Sequence, residues 1–434
     1  MIDIENYLSN FFGGTRKLSL DTMKYFMEEY HNFQKEMKFI HIAGTNGKGS
    51  CTEMISNILC SEGYKVGKFL SPHLVKYNER ISINGIDISD QEMSDMIEEL
   101  EPKIKEHNEK VEAKITLFEL ETIMALLYFY RKNVDFVILE TGLGGIYDST
   151  NIISNPLISV IVSIGFDHMH LLGNTLSEIA YQKAGIIKEN SNTVVFENTK
   201  EVDDVFRTVC CKKHNTLHLV TKEKIKNDRY DENFQYFDYE NLKNIAINLK
   251  GAIQINNASL CIECVKILND LGYPVSEASL RHGLLTVIHK GRMETLSKEP
   301  LVVYDGAHNT PAMLNLQKSV RMYYHDRKRR YVVSILRRKD YEGMLKILLE
   351  DTSASFVFTS GNDKTRYVDK EELYHVAMKY RKEGQALYMQ ELEEAIENIF
   401  SSNEKCVNLI VGSFYVYGDV NQKIREMKDK RRKR

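Results

Sequence analysis

The stretch IHIAGTNGKGS, Ile40–Ser50, sets three glycines, a lysine and a hydroxyl residue between a strand-like run and a helix-like one. Glycines at positions 44, 47 and 49 let backbone N–H groups turn inward around an anion. The start of a helix adds the positive end of its dipole. Lys48 is placed to reach terminal phosphates, and Ser50 to face a magnesium ion. The standard phosphate loop puts its hydroxyl residue directly after the lysine. Here Gly49 intervenes, and Ile42 stands where the first glycine belongs. A second candidate is Glu140, which ends the apolar run VDFVILE and precedes TGLGGIYDSTN. A carboxylate at the tip of a buried strand beside such a loop suits phosphate-bound magnesium.

Strands and helices must hold these groups, and the chain alternates between the two. FIHIAG, KVGKFLS, DFVILE and LISVIVSIG read as strands. SCTEMISNILCSEG, SDQEMSDMIEELEPKIKEH (with Ser89 as cap) and LFELETIMALLYFYRKN read as helices. Such alternation predicts an α/β fold with a mostly parallel, doubly wound sheet. DENFQYFDYENLKNIAINLKG is polar and aromatic in short alternating runs, which predicts antiparallel hairpins at the domain edge. A second α/β series begins near Leu301 with LVVYDG, RYVVSIL, SFVFTS, ALYMQ and CVNLIVGS, and LSKEP before it reads as a linker. The expected domains are residues 1–297 and 298–434. No dinucleotide glycine pattern opens the second series.

With 434 residues, 43% hydrophobic and 27% charged, the chain fits a two-domain globular protein. A net charge of -3 argues against a nucleic-acid-coating role. The basic end KIREMKDKRRKR reads as a solvated tail. No signal peptide or membrane-spanning run is evident. Seven scattered cysteines, including a helical C-x-x-C at Cys261 and Cys264, read as buried thiols of a cytoplasmic protein.

An ordered set of motifs runs almost the full length. It comprises GTNGKGS, SPHLVKYNERISING, TLFELET, ETGLGG, FDHMHLLG, QKAGIIK, INNAS, KGRMET, YDGAHN and GSFY. Together they resemble the folylpolyglutamate synthases, including the bifunctional dihydrofolate synthases, within the Mur ligase superfamily. The loop with its shifted serine is that family's own variant. The resemblance implies a P-loop ATPase domain followed by a smaller Rossmann-like domain. It also implies ATP-driven amide formation: a dihydropteroate or folate carboxylate becomes an acyl phosphate, and the amine of L-glutamate displaces phosphate.

Residue roles follow from the same resemblance. Gly47, Lys48, Gly49 and Ser50 match triphosphate binders, and Asn257, Arg292 and Asp305 match further ATP contacts. Ser71 and Glu140 match ligands of one magnesium, and His168 a ligand of a second, with His170 reading as structural. Lys183 matches a lysine that is carbamylated in the family, which requires a neutral amine and hence burial. His308 and Ser413 match positions near the incoming glutamate. Phe118, Glu119, Tyr147, Asp148 and Ser149 match the pterin side. The implied partners are small molecules, with no nucleic acid or membrane, and the expected state is a monomer.

Three positions depart from the family pattern. Ile146 replaces an arginine after GLGG, Pro311 is displaced by one in AHNTP, and the strand exit usually read as G-x-x-D-K-D is ILRRKD at Ile335–Asp340. Two other readings stay open: a Mur-type amino-acid ligase acting on a cell-wall precursor, and a non-ligase P-loop NTPase. The latter would normally carry N-K-x-D for base specificity, and no Asn-Lys pair occurs in the chain.

Overall fold

The computed structural model describes residues 2–11, 19–361 and 363–432. Two compact units emerge. The first comprises Met1–Arg229, Tyr236–Asn248 and Ile255–Val287, and the second Tyr230–Gln235, Leu249–Gln254 and Ile288–Arg434.

The first unit is built on an eight-stranded sheet of order β4-β3-β2-β5-β1-β6-β7-β8. Its strands are β1 (Phe39–Ala43), β2 (Val66–Phe69), β3 (Ile81–Ile83), β4 (Ile86–Asp87), β5 (Phe136–Glu140), β6 (Ile158–Ile161), β7 (Asn192–Phe196) and β8 (Thr216–Val220). Pairings from β2 through β8 are parallel; only β2/β3 and β3/β4 are antiparallel. β1, β2 and β5 are buried along their whole length, as expected of strands covered on both faces. One apolar cluster joins Phe39, Phe69 and Leu139 of the sheet to Leu120, Met124 and Leu127 of the helix Leu117–Arg131, so IMALLYFY is a buried helix. The helix Asp90–Lys110 starts with a capping box, Ser89 with Glu92, as its sequence predicts.

The chain leaves β1 toward β2 on one side and returns through β5 to β6 on the other, so winding reverses around β1. A ligand crevice is expected at the carboxyl ends of strands at such a point. Ile42 pairs with Glu140 there, which sets the phosphate loop beside the carboxylate.

The antiparallel edge of this sheet comes from β3 and β4, not from the polar segment after Asp231. That segment forms most of a separate three-stranded sheet of order β11-β10-β9, with β9 (Ile225–Tyr230), β10 (Gln235–Tyr239) and β11 (Leu242–Ile247). Alternation in sequence marks a half-covered sheet but not which strand it joins.

The second unit holds a six-stranded sheet of order β12-β13-β17-β14-β15-β16. The strands are β12 (Glu294–Lys298), β13 (Leu301–Asp305), β14 (Lys328–Val333), β15 (Ala354–Phe358), β16 (Leu387–Met389) and β17 (Cys406–Val411). All pairings are parallel except β12/β13. Its core gathers Tyr331, Phe356 and Leu409 under Leu316, Leu345 and Leu373. The units part at Val287/Ile288 rather than at 297/298. LSKEP is no linker: it ends β12 and turns into β13, with Lys298 paired to Leu301. The basic end is not a solvated tail either. Tyr417–Arg432 is a helix that buries Val420 and Ile424, and Lys428 donates to the Leu296 carbonyl at 2.6 Å. Lys433 and Arg434 lie outside the described residues. No described helix is long and apolar enough to cross a membrane.

Candidate active site

Gly47 caps the helix Lys48–Glu62 with φ 97°, a left-handed conformation natural to glycine. A Cβ there would stand 2.7 Å from both Asn257 Oδ1 and Val162 Cγ1, so backbone and the Asn257 side chain meet closely. The segment after β6 braces the loop. Thr45 N donates to Ser163 O (2.7 Å), Asn46 N to Ser163 Oγ (3.1 Å) and Gly165 N to Thr45 Oγ1 (3.1 Å). Lys48 Nζ curls back to Gly44 O at 3.2 Å and stands 3.8 Å from Glu140 Oε1. Glu140 Oε2 accepts from Ser71 N at 3.4 Å. Lys48, Glu140 and Ser71 thus form one small cluster, with buried Ser50 and Gly49 in the adjoining first turn and Asn257 beside it.

Lys183 ends the helix Leu176–Lys183, is 4% exposed, and donates from Nζ to the Gly44 carbonyl at 2.8 Å. The two lysines share one acceptor. Burial above all, then the nearby Lys48 charge, pushes the Lys183 amine down to about 7, while Asp167 and Asp148 oppose the shift. His168 is held with φ 49° and lies 3.6 Å from Asp167 Oδ1; the exposed His170 ring is 6.3 Å away.

The loop after Glu140 packs onto the same helix. A Cβ on Gly145 would meet Gln182 O at 2.5 Å, and Ile146 N donates to that oxygen. Asp148 is fully buried and serves this loop. Its Oδ2 accepts from Leu143 N (2.7 Å), and its Oδ1 accepts from Thr150 N (3.1 Å) and Thr150 Oγ1 (2.5 Å). Because Thr150 donates to Asp148, its oxygen accepts from His41 Nε2 at 2.7 Å. Burial pushes His41 down to about 3, so it is neutral. This internal chain ties β1 to the loop and was not legible in sequence.

Of the expected pterin-side residues, Tyr147 is exposed, Ser149 is buried, and Phe118 lies against Phe69 and over Gly142. Glu119 is engaged locally: its Oε2 accepts from Thr116 N and Oγ1 in a capping box. Its carboxylate therefore starts a helix, a role the T-x-x-E spacing already signals. The same helix carries one partner of a buried ion pair missed in the sequence. Arg80 donates to Glu121 Oε2 at 2.6 Å and to His73 Nδ1 at 2.9 Å. Burial lifts Glu121 to about 7, against the lowering influence of Arg80.

In the second unit, Asp305 is buried and accepts from Met293 N (3.0 Å) and Ala307 N (2.9 Å). It thereby closes the loops around Arg292. Burial raises its carboxyl, against the Arg292 charge. The Arg292 guanidinium stacks over Phe414 at 4.4 Å, and the His308 ring lies 5.3 Å from the same phenyl. Phe414 is thus a positioning plate that sequence reasoning passed over. His308 Nδ1 donates to Gly306 O at 2.8 Å, which makes Nε2 the acceptor nitrogen. Ser413 is bonded within its own surroundings. It is fully buried, its carbonyl accepts from Tyr304 OH (2.5 Å), and its Oγ accepts from Tyr415 N (3.1 Å).

Residues 42–265 match the Mur ligase middle domain, and residues 290–424 match the dihydrofolate synthetase C-terminal domain. The dihydrofolate synthase/folylpolyglutamate synthase of Bacillus subtilis is 35% identical over 419 residues, 94% of this chain and 95% of its own. The crystal structure of the Thermotoga maritima folylpolyglutamate synthase superposes with a TM-score of 0.83 at 31% identity, covering 98% of this chain and 96% of that one. The Mycobacterium tuberculosis folylpolyglutamate synthase, solved with ADP and with AMPPCP, gives 0.85 at 25% identity, covering 98% and 97%. With glycine loop, strand-end glutamate and buried lysine in one cluster, and with likeness spanning both units, the chain belongs to the dihydrofolate synthase/folylpolyglutamate synthase family of Mur ligases.

Proposed function

We propose that this protein is a cytoplasmic, ATP-dependent ligase that joins L-glutamate to the carboxylate of dihydropteroate, of a folate, or of both. The observation that carries the reading is the convergence on the phosphate loop of Lys48, which stands 3.8 Å from Glu140, and Lys183, which shares the Gly44 carbonyl with Lys48. The substrate carboxylate oxygen attacks the γ-phosphorus of ATP and ADP departs. The glutamate amine, having lost a proton, then attacks the acyl carbon, and phosphate leaves with its oxygen.

Each residue has a task. Gly47, Gly49 and Ser50 cradle the triphosphate with N–H groups, and Lys48 offsets its charge. Asn257, Arg292 and Asp305 serve the nucleotide, Asp305 by fixing the Arg292 loop. His308, with Nε2 as acceptor, suits the incoming ammonium. Phe118 and Tyr147 offer aromatic surface to the pterin, while Asp148 orders their loop from inside.

No three His, Cys, Asp or Glu residues cluster as a metal site among the described residues. Magnesium needs no such cage, since it binds through one or two carboxylates with phosphates and water. Glu140, Ser71, Ser50 and His168 suit that sparse donor set; bound magnesium would offset the negative charge that accumulates during phosphoryl transfer. The lowered Lys183 amine suits carbamylation by carbon dioxide, which would convert it to an anion able to support the second ion.

Phosphate release with ATP and glutamate, measured separately with dihydropteroate and tetrahydrofolate, tests the proposal. Release should require an acceptor. ATP turnover with none present would favour a plain NTPase.

A further inference from the structure

Two backbone segments meet beside Lys183: the loop after β5, which carries Tyr147 and Asp148, and the turn Ala184–Ile186. Glycine permits the approach from both sides. A Cβ on Gly145 would stand 2.8 Å from Lys183 O, and one on Gly185 would stand 2.5 Å from both N and Cα of Ile146. Ile146 N donates to Gln182 O at 3.0 Å. The carbonyls of Ile146 and Gly185 are both acceptors and need a donor between them.

Asn151 supplies it. Its Nδ2 donates to Ile146 O at 3.0 Å and to Gly185 O at 3.2 Å, one hydrogen to each segment. Two acceptors fix which end of the amide faces them, and asparagine is the shortest side chain with two N–H hydrogens on one nitrogen. Asn151 is itself held: it is 7% exposed, and its N donates to Asp148 O at 2.8 Å. Its carbonyl accepts from Lys188 Nζ at 3.3 Å, and Lys188 O accepts in turn from Asn215 Nδ2 at 2.8 Å.

We infer that Asn151 is a positioning residue whose amide clasps the acyl-substrate loop to the turn that follows Lys183. The inference rests on the proposed ligase reading. Through this clasp the loop and the lysine meet the phosphate loop as one piece, with Lys183 Nζ on the Gly44 carbonyl. The phosphate loop is braced separately, by Ser163. The chain from Asp148 through Thr150 to His41 holds the far end of the substrate loop. Losing the clasp therefore loosens residues 142–147 and leaves the nucleotide cradle in place.

The test uses the full chain and Asn151→Leu, which keeps most of the volume and removes both hydrogens. The KM for dihydropteroate or tetrahydrofolate should rise about tenfold, as two lost hydrogen bonds imply, while the KM for ATP stays unchanged. Asn151→Asp keeps the shape but turns oxygens toward oxygens, and should show the same split. A merely structural residue would lower kcat through lost folded protein and move neither KM. An unchanged acyl-substrate KM in either variant, or an equal rise in both KM values, overturns the role. Hydrogen exchange is independent of catalysis: the Ile146 amide should exchange about tenfold faster in Asn151→Leu, and unchanged protection overturns the clasp. If the wild type turns over no folate, the functional reading fails while exchange still decides the clasp. If Asn151→Leu misfolds, Asn151→Ser, whose hydroxyl offers one hydrogen in place of two, supplies the comparison.

Discussion

Replacing Lys183 with methionine removes a buried amine while keeping much of its volume. Moving that amine from 10.5 to about 7 on folding is a shift of about 3.5 units, or at most about 4.8 kcal/mol against the charged form. The unfolded chain then binds more protons than the folded one between pH 7 and 10.5, so stability rises with pH across that window. Below pH 7 the full cost is present. For a group titrating at these two values the gain from pH 7 to pH 9 is about 2 kcal/mol. Urea unfolding in buffers stripped of carbon dioxide should show that gain in the wild type and none of it in Lys183→Met. Parallel stability profiles for the two proteins would refute the assignment of a neutral, buried amine. Activity supplies a second readout: Lys183→Ala should be inactive and partly rescued by short carboxylic acids. An active Lys183→Ala enzyme without additive would remove the carbamate from the account.

Lys48→Ala should abolish ligation, with at least a 100-fold loss in kcat expected for a removed phosphate-binding cation, while circular dichroism stays unchanged. Gly47→Ala forces a side chain into a left-handed position 2.7 Å from Asn257; ATP titration should show weakened binding, and an unaltered affinity would argue against this close approach. Arg80→Met leaves Glu121 buried without its partner and should cost roughly 3–5 kcal/mol at pH 8. Without Arg80 the buried carboxyl takes up its proton at still higher pH than in the wild type, so the penalty should shrink as pH falls from 8 to about 7 and level off below, as denaturation at several pH values would show.

Much of the architecture was legible because strand and helix periods differ and glycines punctuate them. The phosphate loop, Glu140 at its strand tip and the buried helix at Leu117–Arg131 were readable from local pattern alone. Contacts between distant positions were not. Arg80 meets Glu121 across 41 residues, and nothing local marks the pairing. Ser413 and Asp148 sit in motifs that suggested ligand contact, yet both are fully buried and bonded to their own surroundings. Motif spacing records which residues the fold needs, without saying whether it needs them inside or outside. Which sheet the hairpins after Asp231 would form was not legible either: alternation fixes a face, and pairing partners come from tertiary context.

The β12–β13 hairpin bears on how this chain can be dissected. A fragment begun at Lys298 would discard β12 and strip the N–H and C=O partners from one side of β13. A bare, apolar border such as Val302–Tyr304 invites pairing with other copies. Excising or grafting the carboxy-terminal half is therefore expected to yield dispersed material only when the cut lies ahead of Glu294, near Ile288, so that the covering ribbon travels with the sheet it protects.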